Sequence, residues 1–241
     1  MNLNKTKIIA TVGPACSSRS MLSKLISSGV DVFRINFSHA THSEVKKIVS
    51  YIKHLRQEHN KHVTILGDLQ GPKIRTGKVV EGCVLKKGDQ IVFTTNLIEN
   101  GDNSMVQIGY NLFPQDVKKD EKVMVDDGKI ILKVVKTNKS DEVTLKVIQG
   151  GELKSNKGVN LPNTKISLPA LTEKDINDAK FAIKNSFDWI ALSFVRSKND
   201  VLMLKKLLHS ETKKSMPIIS KIEKPQAIEK LESILKVSDG L

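Results

Sequence analysis

Two cysteines in 241 residues, Cys16 and Cys83, are too few and too far apart to staple a fold or to build a thiolate metal site. A chain of this length buries a sizeable core without them, and the lack of paired thiols fits a reducing compartment, so a cytoplasmic setting is expected. No apolar run approaches the roughly 20 residues of a membrane span, which argues against a membrane partner. The apolar stretch in MNLNKTKIIATVGP is short and closed by Gly13 and Pro14, so it is not read as a secretory leader. Aromatic residues are also scarce, at 4%, and leave little surface on which bases could stack. The formal charge of +13, from 39 Lys and Arg against 26 Asp and Glu, is therefore not read as nucleic-acid binding. The lysines of VKKIVSYIKHLR and VLMLKKLLHS fall opposite the apolar positions, where they solvate a helix face.

What is present is rhythm. Residues 6–12 (TKIIATV) read as a short apolar strand, and Met21, Leu22, Leu25 and Ile26 follow at helical spacing until Gly29 stops them. VDVFRINF gives a second strand, and Thr41 with Glu44 forms a capping box ahead of Val45, Ile48, Val49, Ile52 and Leu55. VTILGDL is a third strand. From about Gly77 to Pro162 the pattern changes to alternating apolar segments broken by Gly and Asp, as in KKGDQIVF, EKVMVDDGKIILKVV and DEVTLKVI, which predicts an all-β insertion. The first rhythm then resumes with a helix over about 172–185, the strand DWIALSFV, the helix KNDVLMLKKLLHS, the strand PIISKIE and a helix PQAIEKLESILKV. Such alternation on both sides of a guest predicts one parallel α/β domain, residues 1–76 and 163–241, interrupted by a β domain at 77–162.

Polar residues gather where the predicted strands end. Arg34, Asn36 and Ser38 close the second strand, Asp68 the third, Ser193 the fourth, and Lys221 with Glu223 the fifth. The carboxyl edge is where both closed barrels and open doubly wound sheets keep their chemistry, so periodicity leaves that choice open. Spacing by two puts Arg34, Asn36 and Ser38 on one side of their strand, and Lys221 and Glu223 on one side of theirs; in a closed barrel that side is the interior. An ammonium at Lys221, inside the apolar IISKIE, needs an anion or carboxylate to offset its burial. Glu223 is a hard oxygen ligand suited to Mg²⁺ or, read structurally, the ion-pair partner of Lys221.

Eight segments in order, TKIIATVGPACSS, FRINFSHATH, GDLQGPKIRTG, DDGKI, KGVNLP, LTEKDINDAKFA, ALSFVRSKNDV and IISKIE, resemble the signatures of the pyruvate kinase family. The resemblance implies a (β/α)8 TIM barrel, here partial, interrupted after its third strand by an inserted β-barrel lid. It implies phosphoryl transfer from phosphoenolpyruvate to ADP, giving pyruvate and ATP, with Mg²⁺ and a monovalent cation as cofactors and a homotetramer as the assembled form. A different phosphoenolpyruvate enzyme on a similar barrel is argued against by the β insertion and by GPKIRTG.

Carried over residue by residue, Lys221 is the lysine that steadies the transferring phosphoryl group, and Glu223 is one Mg²⁺ ligand whose partner aspartate belongs to the next strand. Arg34 and Ser193 are expected on the substrate. Asn36, His39, Arg75 and Lys157 are expected beside the nucleotide, with Asp127 gating it from the lid. The monovalent cation site corresponds to Asn36, Ser38, Asp68 and the main-chain carbonyl of Leu69. Lys73 departs from the pattern, since relatives that need K⁺ typically carry glutamate there, and it is read as a tethered substitute that makes K⁺ dispensable. Gln70 replaces a common lysine. GVNLPN and VDDGK also fit ordinary turn chemistry. The chain is expected to be incomplete, ending at SDGL before the sixth barrel strand is finished, and the alternative reading is a non-catalytic remnant whose open sheet edge invites association.

Overall fold

The computed structural model describes residues 5–212 and 215–241 and divides into two compact units, Met1–Pro72 with Pro169–Leu241, and Lys73–Leu168. Strand β1 (Ile9–Thr11) leads through a short 3₁₀ turn to α1 (Arg19–Ser27), then to β2 (Val32–Asn36), α2 (His42–Glu58) and β3 (Thr64–Asp68). The second unit holds β4 (Val84–Leu85), β5 (Gln90–Thr94), β6 (Met105–Gln107), α3 (Phe113–Asp116), β7 (Lys122–Val125), β8 (Ile130–Thr137), β9 (Glu142–Gln149), β10 (Gly151–Glu152) and β11 (Val159–Asn160). The chain returns to the first unit with α4 (Glu173–Lys184), β12 (Trp189–Leu192), α5 (Lys198–Glu211), β13 (Ile218–Ser220), α6 (Pro225–Glu229) and α7 (Leu231–Leu235).

The first unit is a curled half-barrel sheet of five parallel strands in the order β1-β2-β3-β12-β13. Its helices start where the sequence supplies caps. The Thr41 hydroxyl accepts from the Glu44 N–H at 3.4 Å while the Glu44 carboxylate accepts from the Thr41 N–H at 3.0 Å. The same reciprocal box joins Thr172 and Asp175 at the head of α4, and each satisfies two donors that the first turn leaves unpaired. Outward-facing Phe33, Ile35, Ile65, Ile190 and Ile218 are buried against Leu22, Val49, Ile52, Leu55 and Leu204 of the helices. Each fully buried side chain of this kind stabilises by about 1.5–3 kcal/mol.

The inner face is different. Ile9, Val32, Thr64, Leu66, Trp189 and Ile219 line a groove of about 240 Å³, and Ile9 is 54% exposed. Beyond β13, Ser220 N–H donates to the Gly240 carbonyl at 2.9 Å and Asp239 N–H to that of Ile218 at 3.0 Å, so the final residues begin to lie parallel to β13.

Two local expectations need correction. Met21 stays exposed while Leu22 and Ile26 are buried, because the buried stripe of α1 is narrower than the apolar count suggested. The helix read over PQAIEKLESILKV is two short helices, α6 and α7, parted at Lys230 (φ −116°, ψ 17°) with no proline or glycine to mark the break.

The second unit contains a six-stranded sheet, β11-β7-β8-β9-β5-β6, antiparallel except for β5 with β6, and a separate β4·β10 pair. Burial alternates residue by residue along most of β8, as it must where one face of a strand covers a core. Phe93, Phe113, Val106, Leu132 and Leu145 are fully enclosed in a core of this unit's own. Beside it, Tyr110 donates to Asp116, whose carboxylate also accepts from the N–H and hydroxyl of Ser167 at 2.7 and 2.8 Å. Burial, reinforced by the Asp116 carboxylate, pushes the Tyr110 phenol well above its ordinary range. Among the described residues no helix is long and apolar enough to cross a membrane.

Candidate active site

Side chains alternate along a strand, so register decides which residues share the inner face. Arg34 pairs with Thr11, Asn36 with Asp68, Asp68 with Ala191, and Ala191 with Ile219. Lys221 stands one residue past β13, two on from Ile219, and therefore on the same side. That face is apolar toward the strand starts and charged at their carboxyl ends.

Asp68 is the centre of the charged end, with a side chain only 3% exposed. Arg34 Nε donates to its Oδ2 at 2.8 Å, and Nη2 approaches the same oxygen at 2.6 Å. Lys221 Nζ lies 3.2 and 3.3 Å from the two Asp68 oxygens, donates to Ser193 Oγ at 2.9 Å and pairs with Glu223 Oε1 at 3.3 Å. Ser193 Oγ in turn donates to the Leu69 carbonyl at 2.5 Å. The Arg34 and Lys221 side chains are 31% and 29% exposed, so both cations reach the opening while the carboxylate that holds them does not. The geometry presents positive charge outward from a buried negative anchor. Such a surface suits an anionic ligand, and the fixed orientation of the two cations is the preorganisation that charge stabilisation requires.

Several residues that support this cluster carry no obvious signal in the sequence. Thr11 Oγ1 accepts from Arg34 Nη1 at 2.8 Å. Phe194 N–H donates to Glu223 Oε2 at 2.9 Å from a backbone with φ +56°, a region bulky residues seldom enter. Gly71 has φ +70°, and a Cβ there would lie 2.8 Å from Phe194 Cδ2 and 2.9 Å from Ser193 Cβ. Its N–H donates to buried Asp175 at 2.9 Å, tying the end of β3 to the cap of α4. Lys224 lies over the Phe194 ring at 5.4 Å; burial pushes its ammonium below the usual lysine range, Arg196 adds to the shift and Glu223 opposes it. The Thr172-x-x-Asp175 spacing, a variant of the capping box, is the local signal that could have marked Asp175.

The pyruvate kinase barrel domain matches residues 3–241 of the chain. The chain belongs to the pyruvate kinase family. It is 41% identical to a pyruvate kinase of Staphylococcus epidermidis and 42% identical to one of Staphylococcus saprophyticus, each over 99% of this chain and 41% of the relative. A pyruvate kinase of Clostridium perfringens is 40% identical over 99% of this chain and 50% of its own length. The chain thus spans about half or less of the curated relatives it matches.

Within this pyruvate kinase barrel domain, the remaining sequence-derived positions are placed as follows. Asn36 Oδ1 accepts from Ser38 N–H at 3.0 Å, and His39 N–H donates to the Asn36 carbonyl at 3.3 Å, with the His39 residue exposed. Asn36, Ser38, Asp68 and the Leu69 carbonyl are all oxygen donors with lone pairs to spare, a chemistry that fits a monovalent cation; the Asp68 charge is nevertheless already met by Arg34 and Lys221. For Mg²⁺, Glu223 offers one partly exposed carboxylate, and among the described residues no group of three or more acids, histidines or cysteines gathers as a closed metal cage. A single carboxylate fits Mg²⁺ when substrate oxygens and water complete the shell.

Lys73, Arg75, Asp127 and Lys157 belong to the β unit. There Arg75 Nη1 reaches the Asn156 carbonyl at 3.4 Å, and Lys157 Nζ lies 3.1 Å from Asp126, which also pairs with Lys129. These two lysines hold the Asp126 carboxyl below its usual range, the Lys129 hydrogen bond contributing most. Asp127 is exposed at φ +55°. Lys73 is exposed, its chain lies beside Gly158, and among the described residues it forms no ion pair.

Proposed function

We propose that the protein to which this chain belongs transfers a phosphoryl group from phosphoenolpyruvate to ADP, the last step of glycolysis, in a cytoplasmic homotetramer without nucleic-acid or membrane partners. The observation that carries this reading is the Lys221 ammonium, held among Asp68, Ser193 and Glu223 beside Arg34 at the carboxyl edge of the parallel sheet. Transfer breaks the bond from phosphorus to the enol oxygen and forms one to a terminal oxygen of ADP, and charge spreads over the three equatorial oxygens as it happens. Lys221 meets that charge as it develops, while Arg34, able to fork across two phosphate oxygens, and Ser193 orient the substrate. Glu223 would hold Mg²⁺, which would supply neutralising charge to the phosphate oxygens. Arg75 and Lys157 are assigned to the nucleotide phosphates, Asn36 and His39 to its border, and Asp127 to gating by the β unit acting as a lid. The finer fold reading belongs here too: the half-barrel is proposed as part of a (β/α)8 barrel.

In a protein carrying the family's remaining length, Lys221→Met is expected to lower kcat by about two orders of magnitude or more with little change in KM, because the lost charge acts mainly in the transition state. Unchanged turnover removes Lys221 from the mechanism. We further propose that K⁺ is dispensable, the exposed Lys73 supplying an ammonium in place of the ion. Turnover in sodium-only buffer should equal that in potassium at matched ionic strength, and Lys73→Glu should create a K⁺ requirement; steep K⁺ dependence of the parent defeats the idea.

A second reading, a non-catalytic form of this chain by itself, is favoured by the open apolar end of the inner face, where Ile9 is 54% exposed. A coupled assay of the 241-residue chain with Mg²⁺, ADP and phosphoenolpyruvate is expected to show no turnover, and robust turnover would refute this second reading.

A further inference from the structure

At the opposite, amino-terminal edge of the same parallel sheet, the end of α2 and the turns entering β3 and β12 border an open cleft of about 530 Å³. Strand β3 separates this cleft from Asp68 by about 13 Å, four residue steps of ~3.3 Å each. Lys53, Arg56, Lys61 and His62 line it, and Asp188 is the one acid among the lining residues. Asp188 is already engaged: its Oδ2 pairs with Arg56 and accepts from the Ile65 N–H at 2.7 Å. Lys53 Nζ donates to the Asn185 carbonyl at 2.7 Å and Lys61 Nζ to the Ile26 carbonyl at 3.1 Å, both neutral partners. Among the described residues Arg56 Nε, which is buried, has no hydrogen-bond partner. Among the described residues neither ammonium forms an ion pair, so two positive charges face one cleft. They are anchored by contacts to other segments of the unit, which separates them from the freely solvated lysines along the outer helix faces.

We infer that this cleft is a second anion site, built for a small phosphorylated molecule and separate from the Arg34–Asp68–Lys221 cluster. The chemistry follows from the donors. An ammonium keeps donors free after giving one to a carbonyl, and two such groups match the charge of a phosphate dianion better than that of a single carboxylate. The cleft is open to solvent and larger than a bare phosphate fills, which leaves room beside the phosphate for the organic group of a phosphomonoester.

The test is an amide-resolved NMR titration of the full 241-residue chain with inorganic phosphate and with glycerol 3-phosphate, ionic strength held constant with sodium chloride. The amides of Lys61, His62 and Ser186 should shift saturably with both, more tightly with the ester. Lys53→Gln combined with Lys61→Gln should weaken that binding by about tenfold or more, the loss of two charge-assisted contacts. Lys221→Met should leave it unchanged, since any phosphate held at the carboxyl edge is read from other amides. If the double variant fails to fold, Lys61→Gln alone should weaken binding by about threefold or more. Shifts reproduced by chloride, or the same affinity in the folded variant, overturn the site. Vesicles of phosphatidylglycerol are the remaining arm: saturable broadening of the same amides at lower phosphate concentration than the soluble ester needs would assign the cleft to a lipid surface and overturn the soluble ligand.

Discussion

The two units use charge in opposite ways. In the half-barrel unit an enclosed carboxylate, Asp68, holds two cations whose ends face the opening, and the sheet's inner face is otherwise apolar and uncovered. In the β unit the acids mostly close turns: Asp102 caps its own loop through Ser104 and Met105, and Asp116 ties Tyr110 to Ser167. A parallel sheet collects all its strand ends at one edge, so polar residues there converge without being neighbours in sequence. An antiparallel sheet returns by short turns at both edges and spends its polar residues on those turns.

The sharpest way to break this contrast is at Asp68. Asp68→Ala leaves Arg34 and Lys221 facing one another without their anchor, and the half-barrel unit should lose about 3–5 kcal/mol, the usual cost of breaking a buried pair from one side. Hydrogen exchange should show that loss in β2, β3 and β12 while amides of β8 and β9 keep their protection. Equal loss in both units would mean that they unfold as one. A smaller effect is expected at Gly71, where φ is +70° and a Cβ would strike Phe194 and Ser193. Gly71→Ala should cost about 1–3 kcal/mol of strain, and displacement of Ser193 should register as a changed Lys221 environment in ¹⁵N-detected NMR. An unperturbed lysine signal would show that Gly71 does not position the cluster.

The smallest effect belongs to the β unit. Tyr110→Phe removes the hydrogen bond to Asp116 and the hydroxyl that accepts from Ser167 N–H at 3.0 Å, a loss of about 1 kcal/mol because that N–H keeps the Asp116 carboxylate as acceptor. Its pH dependence is the finer test. The folded phenol ionises later than the unfolded one, so the native state is favoured fully below the unfolded value, near pH 10, and that stabilisation is lost as pH rises above it. Urea melts at pH 8 and pH 11 should show the parent losing more stability than Tyr110→Phe over that interval; equal losses would place the alkaline sensitivity elsewhere.

Much of the layout was written in local pattern. Strand and helix alternation, the break at the β insertion, and the Thr41 cap follow from periodicity and from side chains that reach only three residues, which is information a single stretch of chain contains. The family, too, is carried by short motifs in order. The sequence also set out which residues end each strand, and alternation assigned Lys221 and Glu223, like Arg34 and Asn36, to one side. What tertiary structure alone decided is the wiring among them. Asp68 reads as one more strand-end acid until β2, β3, β12 and β13 stand side by side and bring Arg34, Ser193 and Lys221 within hydrogen-bonding distance. Phe194 in a left-handed conformation, Gly71 beneath it and the basic cleft at the far edge likewise depend on contacts between segments distant in sequence. Such contacts are fixed by packing and register, and no local propensity encodes them.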